Sequence, residues 1–207
     1  MKKSLIVCGL LFFVLALTVS PAQAVQITAK GVKGGLVIAT MTGDDIEKND
    51  AKIGFALGGY LTLNISNDFS IQPELLLVQK GTKWSEGGGT QGFRLTYLEI
   101  PILAKYSFAA GTNMNVFVFA GPALAFKIRA TVYGEYGDES DSEDLDYIKG
   151  MDFGLAFGGG LEMPFGKNVL TFDIRYTFGL GNCWKAADGD DSKIKNSAIM
   201  FLAGIGF

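Results

Sequence analysis

Histidine is absent from this chain, cysteine occurs only twice, basic residues do not outnumber acidic ones, and no long apolar run follows residue 24. Each of these absences excludes something. Without an imidazole there is no Ser-His-Asp or Cys-His nucleophile and no His-rich zinc site, so most familiar hydrolases are ruled out. With 18 Lys and Arg against 21 Asp and Glu, a net charge of −3, there is no basic excess to neutralise phosphates, and no nucleic-acid partner is expected. The later apolar stretches are broken by Lys, Glu, Arg or Gly well short of the roughly 20 residues of a spanning helix. No motif implies a cofactor.

Glycine, by contrast, is abundant. The 28 glycines in 207 residues are about twice the usual share. Because each interior Gly weakens a helix by about 1 kcal/mol, a helical bundle is disfavoured and a glycine- and aromatic-rich β protein is expected.

The N-terminal residues read as an address. Lys2 and Lys3 precede an apolar run over 5–19, and Pro21-Ala22-Gln23-Ala24 supplies a small-x-small cleavage pattern. Residues 1–24 are therefore expected to be a cleaved signal peptide and residues 25–207 the mature domain. Cys8 lies inside the apolar run rather than at its end, so no lipid anchor is expected. Removal of the leader takes two lysines with it, leaving 16 basic residues against 21 acidic ones, and makes Cys183 the only mature cysteine, which precludes an intramolecular disulfide.

Along the mature chain, strand signals recur at hairpin spacing. Eight strands are expected, at 28–41, 52–65, 69–82, 92–108, 114–133, 150–163, 169–183 and 194–207. Leu170, Phe172, Ile174, Tyr176 and Phe178 alternate with Thr171, Asp173, Arg175 and Thr177. Phe55, Leu57, Gly59, Leu61 and Leu63 likewise alternate with Gly54, Ala56, Gly58, Tyr60 and Thr62. Connections after the second, fourth and sixth strands are tight, whereas those at 42–51, 83–91, 134–149 and 184–193 are long and polar. An even strand count with short turns on one rim and long loops on the other describes an eight-stranded antiparallel up-and-down transmembrane β-barrel.

Alternation alone does not say which face points outward, and a soluble lipocalin-like barrel would share it. The face opposite the apolar one decides. It is too small and too rich in glycine for a solvated exterior, and its sparse mid-strand charges suit a lumen in which they pair. Glu74, Glu99, Lys127, Arg129, Asp152, Glu162, Asp173 and Arg175 form the expected lumen network. The last strand alternates Ile199, Phe201, Ala203, Ile205 and Phe207. Phe207 resembles the terminal signal read by the outer-membrane assembly machinery.

The segment Tyr97-Leu98-Glu99-Ile100-Pro101-Ile102-Leu103, with Gly121-Pro122 after it and Pro73-Glu74-Leu75 and Gln79-Lys80-Gly81 before it, resembles the PorT-like outer-membrane β-barrel family of Bacteroidetes. The resemblance covers nearly all of 25–207. It implies a small outer-membrane barrel of a Gram-negative cell envelope, in contact with outer-membrane lipid and lipopolysaccharide and with an unidentified extracellular or envelope protein partner.

Candidate chemistry has a bland alternative in each case. Glu74 and Glu99 could act as acid and base, or be held by Lys105, Lys127, Arg129 or Arg175 in a structural network; the structural reading is expected, and no enzyme. Seven acids in 135–146, among them Asp138, Glu139, Asp141, Glu143 and Asp144, could bind calcium, or magnesium bridging to lipopolysaccharide phosphates, but lack the ligand spacing of an EF-hand, so a solvated loop is the alternative. The glycines at 87–89 and from Gly154 to Gly160 open no helix after a strand, which argues against a phosphate cradle. Trp84, Trp184, Tyr97, Tyr106, Tyr133, Tyr147 and Tyr176 lie near expected strand ends and read as interfacial girdles. A structural, adhesive or partner-binding role through extracellular loops is expected, without a bulk pore. A narrow channel or small-molecule-binding barrel is the alternative, and Pro73 and Pro101 are places where a bulge could flip the register.

Overall fold

The structure, a computed structural model, describes residues 26–43, 50–86, 89–136, 139–145, 147–184 and 194–207. The expected leader lies outside them, as do Gly87, Gly88 and Asp138. Nine strands occur: β1 (Gln26–Gly43), β2 (Asp50–Asn64), β3 (Phe69–Glu86), β4 (Gly89–Ala109), β5 (Asn115–Tyr136), β6 (Glu139–Asp144), β7 (Met151–Phe165), β8 (Asn168–Gly179) and β9 (Ile194–Gly206).

Eight of these close into a ring. Each pairs antiparallel with its neighbours in chain order, β5 with β7 directly, and β9 returns to β1 over Gly31↔Gly206 to Gly43↔Ile194. The closed ladder leaves no free edge, as a backbone in hydrocarbon requires. The strands form where the period-2 pattern placed them. The turns expected to be short connect β2–β3, β4–β5 and β7–β8; two of them place Gly111 and Gly166 at φ +95° and +63°, where a side chain would be strained. The long polar loop expected at 83–91 is instead mostly strand, because β3 and β4 stay paired as far as Glu86↔Gly89.

The apolar face points outward. Leu57, Phe157, Ile174 and Phe201 are exposed, while Ala56, Ala156, Asp173, Arg175 and Met200 are buried. Thirty large apolar side chains are exposed among the described residues, far too many for a water-facing surface, which excludes the soluble lipocalin-like carrier.

The structure corrects the sequence reading in several places. Register is unbroken through Pro73↔Ile102 and Pro101↔Ala123. Register shifts lie elsewhere: between Ile27 and Ala29, between Ala51 and Ala56, and between Thr96 and Tyr97, which face Arg129 and Lys127, so Ile128 is an extra residue in β5. A one-residue bulge reverses the parity of everything beyond it. The acidic segment is not simply a loop, since β6 pairs with the far end of β5 from Thr131↔Asp144 to Tyr136↔Glu139, a hairpin rising beyond the barrel. The strand expected at 169–183 ends at Gly179. There Leu180 N and Gly181 N both donate to Phe153 O, and Asn182 Oδ1 accepts from Trp184 N and Ile194 N, which turns the chain over the mouth.

Candidate functional site: the lumen and its long-loop mouth

Glycines on one strand make room for the lumen's charged network. Gly158 faces Phe119 and Gly160 faces Phe117 across β7 and β5. A Cβ at Gly160 would come within 2.5 Å of the Phe117 ring, and one at Gly158 within 2.8 Å of the Phe119 ring. Both rings are therefore held flat against the inner wall, and each offers its face to a cation: Lys105 Nζ lies 4.2 Å from the Phe117 centroid and the Arg175 guanidinium 5.0 Å from that of Phe119. Gly31 similarly lies beneath Tyr60, whose ring faces Lys33 Nζ at 5.0 Å.

The central cluster is a closed square of charges. Lys33 Nζ donates to Glu74 Oε1 at 2.8 Å and to Asp173 Oδ2 at 2.9 Å. Arg175 grips Glu74 with Nη1 and Nη2 at 2.6 and 3.1 Å, while its Nε donates to Asp173 Oδ1 at 3.0 Å. Gln72 Nε2 adds a bond to Glu74 at 2.7 Å. Two cations meet two anions, all buried, so the set is neutral and the Coulombic attraction offsets desolvation. Towards the short turns, Lys105 bonds Glu162. Towards the long loops, Lys80 pairs with Glu99 at 2.7 Å.

Among the residues expected in this network, Glu74, Glu99, Asp152, Glu162, Asp173 and Arg175 project inward. Glu74 and Glu99 have different cationic partners in separate clusters rather than sharing one site. Asp152 is buried and accepts from the Phe153 amide. Lys127 instead reaches the Ile148 carbonyl at 2.9 Å. Arg129 does not belong to the lumen, because the bulge at Ile128 turns it outward, where it pairs with Asp144 at 3.2 Å, both side chains exposed. Lys33, Lys80 and Gln72 are not among the residues expected in the network, Lys80 entering the sequence reading only through the Gln79-Lys80-Gly81 resemblance. Lys80 stands six residues after Glu74, an even spacing that puts it on the same face, so the signal was present.

Above the charges the mouth is apolar. Met41, Leu95, Tyr97, Ala125, Ala130, Ile148 and Cys183 cluster, with Phe93, Leu145, Trp184 and Ile194 packed against them. A backbone bridge joins Ile148 to Trp184, and Lys149 N donates to Cys183 O. Burial pushes the Cys183 thiol up to about 12. Trp184 and Tyr97 are therefore parts of this plug rather than of a lipid girdle: Trp184 stacks on Tyr147 at 6.2 Å, and Tyr97 is buried in the lumen. Trp84 packs on Phe93 at 5.2 Å. Tyr106 does face outward, beside Phe108.

At the other end a cavity of about 190 Å³ opens, lined by Tyr60, Ser70, Lys105 and Glu162 among others. Glu143 and Asp144 are exposed, but as neighbours in a strand they point to opposite faces of β6. Among the described residues no three acidic, cysteine or histidine side chains gather as a metal site. Phe207 is exposed on the outer surface with Lys30 Nζ 5.6 Å from its ring, and its backbone exchanges hydrogen bonds with that of Lys30.

The sequence model described as "Outer membrane protein beta-barrel domain" matches residues 22–184. No curated protein sequence matches the chain. Among solved structures, Neisserial surface protein A (NspA) is similar over 86% of this chain and 97% of its own, at 15% identity and a TM-score of 0.52, which indicates a shared fold. Ail, the attachment invasion locus protein of Yersinia pestis, matches over 88% of this chain and 100% of its own, at 16% identity and a TM-score of 0.44. The N-terminal β-barrel domain of Pseudomonas aeruginosa OprF matches over 87% and 97%, at 13% identity and a TM-score of 0.42.

Proposed function

Because this chain belongs to the family of outer-membrane protein β-barrel domains, and so to the Gram-negative outer membrane, we propose a structural and adhesive role exerted through its extracellular loops. The observation that carries this reading is the closed interior. The neutral square of Lys33, Glu74, Asp173 and Arg175, capped by the Ile148–Cys183–Trp184 plug, supports a barrel with no bulk pore. An eight-stranded ring has an interior just wide enough for side chains. Binding capacity then falls to what projects beyond the rim, foremost the β5–β6 hairpin.

The absence of histidine, together with the dispersal of Glu74 and Glu99 into separate ion pairs, supports a non-enzymatic role. The Tyr97–Leu103 segment followed by Gly121-Pro122 is what supports membership of the PorT-like subgroup. Lys2, Lys3 and the 21–24 cleavage pattern support the 1–24 leader, and the outward Phe207 supports a role as assembly signal. A second reading, small-molecule binding, is favoured by the cavity beside Lys105 and Glu162.

Two measurements test the proposal. Planar bilayers holding the purified barrel should show no stepwise conductance, and porin-like openings would overturn the closed lumen. Cells of a non-adherent Gram-negative host displaying the chain should bind matrix-coated surfaces, and should lose that binding when 135–144 is replaced by an Asn-Gly turn. Equal binding by both would count against the loops.

A further inference from the structure

Among the described residues, three cations on neighbouring strands gather at one place on the outward surface's long-loop border. Lys83 on β3 stands opposite Gly92 on β4; Arg94 follows two residues on, opposite Gly81 and Thr131; Arg129 on β5 stands opposite Thr96. Three cations thus occupy successive outward positions on three neighbouring strands, at diagonal separations of about 7–8 Å between backbones. All three are exposed. Tyr133 lies beside them, its ring facing both the Arg94 guanidinium at 5.1 Å and Lys52 Nζ at 5.7 Å. Among the described residues, Asp144 is the only carboxylate in ion-pair contact with the trio, and it engages Arg129 alone.

Just below the patch, the outward positions on these strands are Leu75, Leu77, Leu98, Ile100, Phe126 and Ile128. The cations therefore stand where an apolar belt gives way to a headgroup layer. The clustering is on this side: outward positions at the same end of β7 and β8 are Met151, Phe153 and Phe178, and β9 adds a single cation, Lys195, over the Phe178 ring. An Arg beside a Lys, held on rigid strands with the Arg94 guanidinium 5.1 Å from a tyrosine ring, suits phosphate oxygens better than a loop would.

We propose that Lys83, Arg94 and Arg129, with Tyr133, seat the phosphorylated headgroup of one outer-leaflet glycolipid against β3–β5. The inference rests on the reading that the long-loop end faces outward. The acyl chains lie along Leu98, Ile100 and Ile128, and the phosphates lie between the two arginines and Lys83. Each basic contact adds a modest electrostatic attraction to a surface that is already apolar.

The test uses the full chain, extracted from outer membranes in mild detergent, stripped of lipid, and incubated with a hexa-acyl glucosamine disaccharide bisphosphate or its dephosphorylated form. Native mass spectrometry should find one bisphosphate lipid retained, the dephosphorylated lipid retained at least about tenfold less, and a similar loss of the bisphosphate lipid in K83S/R94S/R129S. The Lys30→Ser control at the other end of the belt should retain the lipid as the parent does. Equal retention by the triple variant, or of the dephosphorylated lipid, overturns the proposal. If the triple variant does not fold, as judged by heat-modified gel mobility, R94Q alone replaces it and should still lower retention several-fold; unchanged retention overturns the seat. Protease cleavage of the β5–β6 hairpin on intact cells reports orientation separately: a protected hairpin overturns the outward reading, while a cut hairpin with equal retention overturns only the lipid seat.

Discussion

Arg175 and Glu74 meet across the lumen as a two-pronged pair, Nη1 to Oε2 at 2.6 Å and Nη2 to Oε1 at 3.1 Å, joining β8 to β3, strands with no hydrogen-bonded pairing between them. The contact is a brace through the interior rather than around the wall.

Removing Glu74 leaves Lys33 and Arg175 to share Asp173 alone, one buried positive charge in excess. Glu74→Gln should destabilise the barrel by about 3–5 kcal/mol, read as a lower urea midpoint or a lower temperature for the heat-modified gel shift. The double replacement E74L/R175M should recover much of the loss, because it removes both charges. An unchanged midpoint in the single variant would show that the network does not brace the fold.

Gly158→Ala should also destabilise. The nearest obstacle to its Cβ is the Ile174 carbonyl oxygen at 2.2 Å, a backbone atom, followed by the Arg175 Cα and the Phe119 ring, both at 2.8 Å. Trimming the ring with Phe119→Ala should therefore fail to rescue the variant, and a full rescue in denaturant titration would mean that the ring, not the wall, sets the limit.

Cys183 should resist alkylation. It is buried in the plug and its thiol is raised to about 12, so it stays protonated across the working range of maleimide and only a small thiolate fraction forms even at pH 9. Labelling of the folded barrel at pH 8 should be negligible and become complete on heating in detergent. Rapid labelling of the folded form would show that the plug opens.

The exposed pair Arg129–Asp144 should contribute little. Asp144→Asn is expected to change stability by less than about 0.5 kcal/mol, since both side chains are solvated. A larger loss would assign β6 a structural share in the barrel.

Alternation was readable because side-chain period in an extended chain is a local property: each residue faces opposite its neighbour whatever lies across from it. Phe172 and Asp173, or Leu57 and Ala56, could be sorted to opposite faces before any partner was known, and the ring of eight followed from eight such segments with short and long connections. The same parity identified Glu74, Asp173 and Arg175 as inward.

Other features depended on where separate strands meet. Arg129 shares parity with Lys127 in the chain, yet one extra residue at Ile128, absorbed against β4, turns it to the outside. The acidic stretch 139–144 carries no strand-like alternation, and becomes β6 because the far end of β5 offers unpaired backbone to it. Trp184 and Tyr97 look like girdle residues by position, but the turn at 180–184 folds over the mouth, packs a half-buried Trp184 against the Ile148–Cys183 cluster and leaves Tyr97 buried within it. Which cation serves which carboxylate is likewise a matter of distance across a closed ring. Period-2 geometry is written residue by residue, whereas a bulge, a plug and an ion-pair partner exist only once the strands have closed on one another.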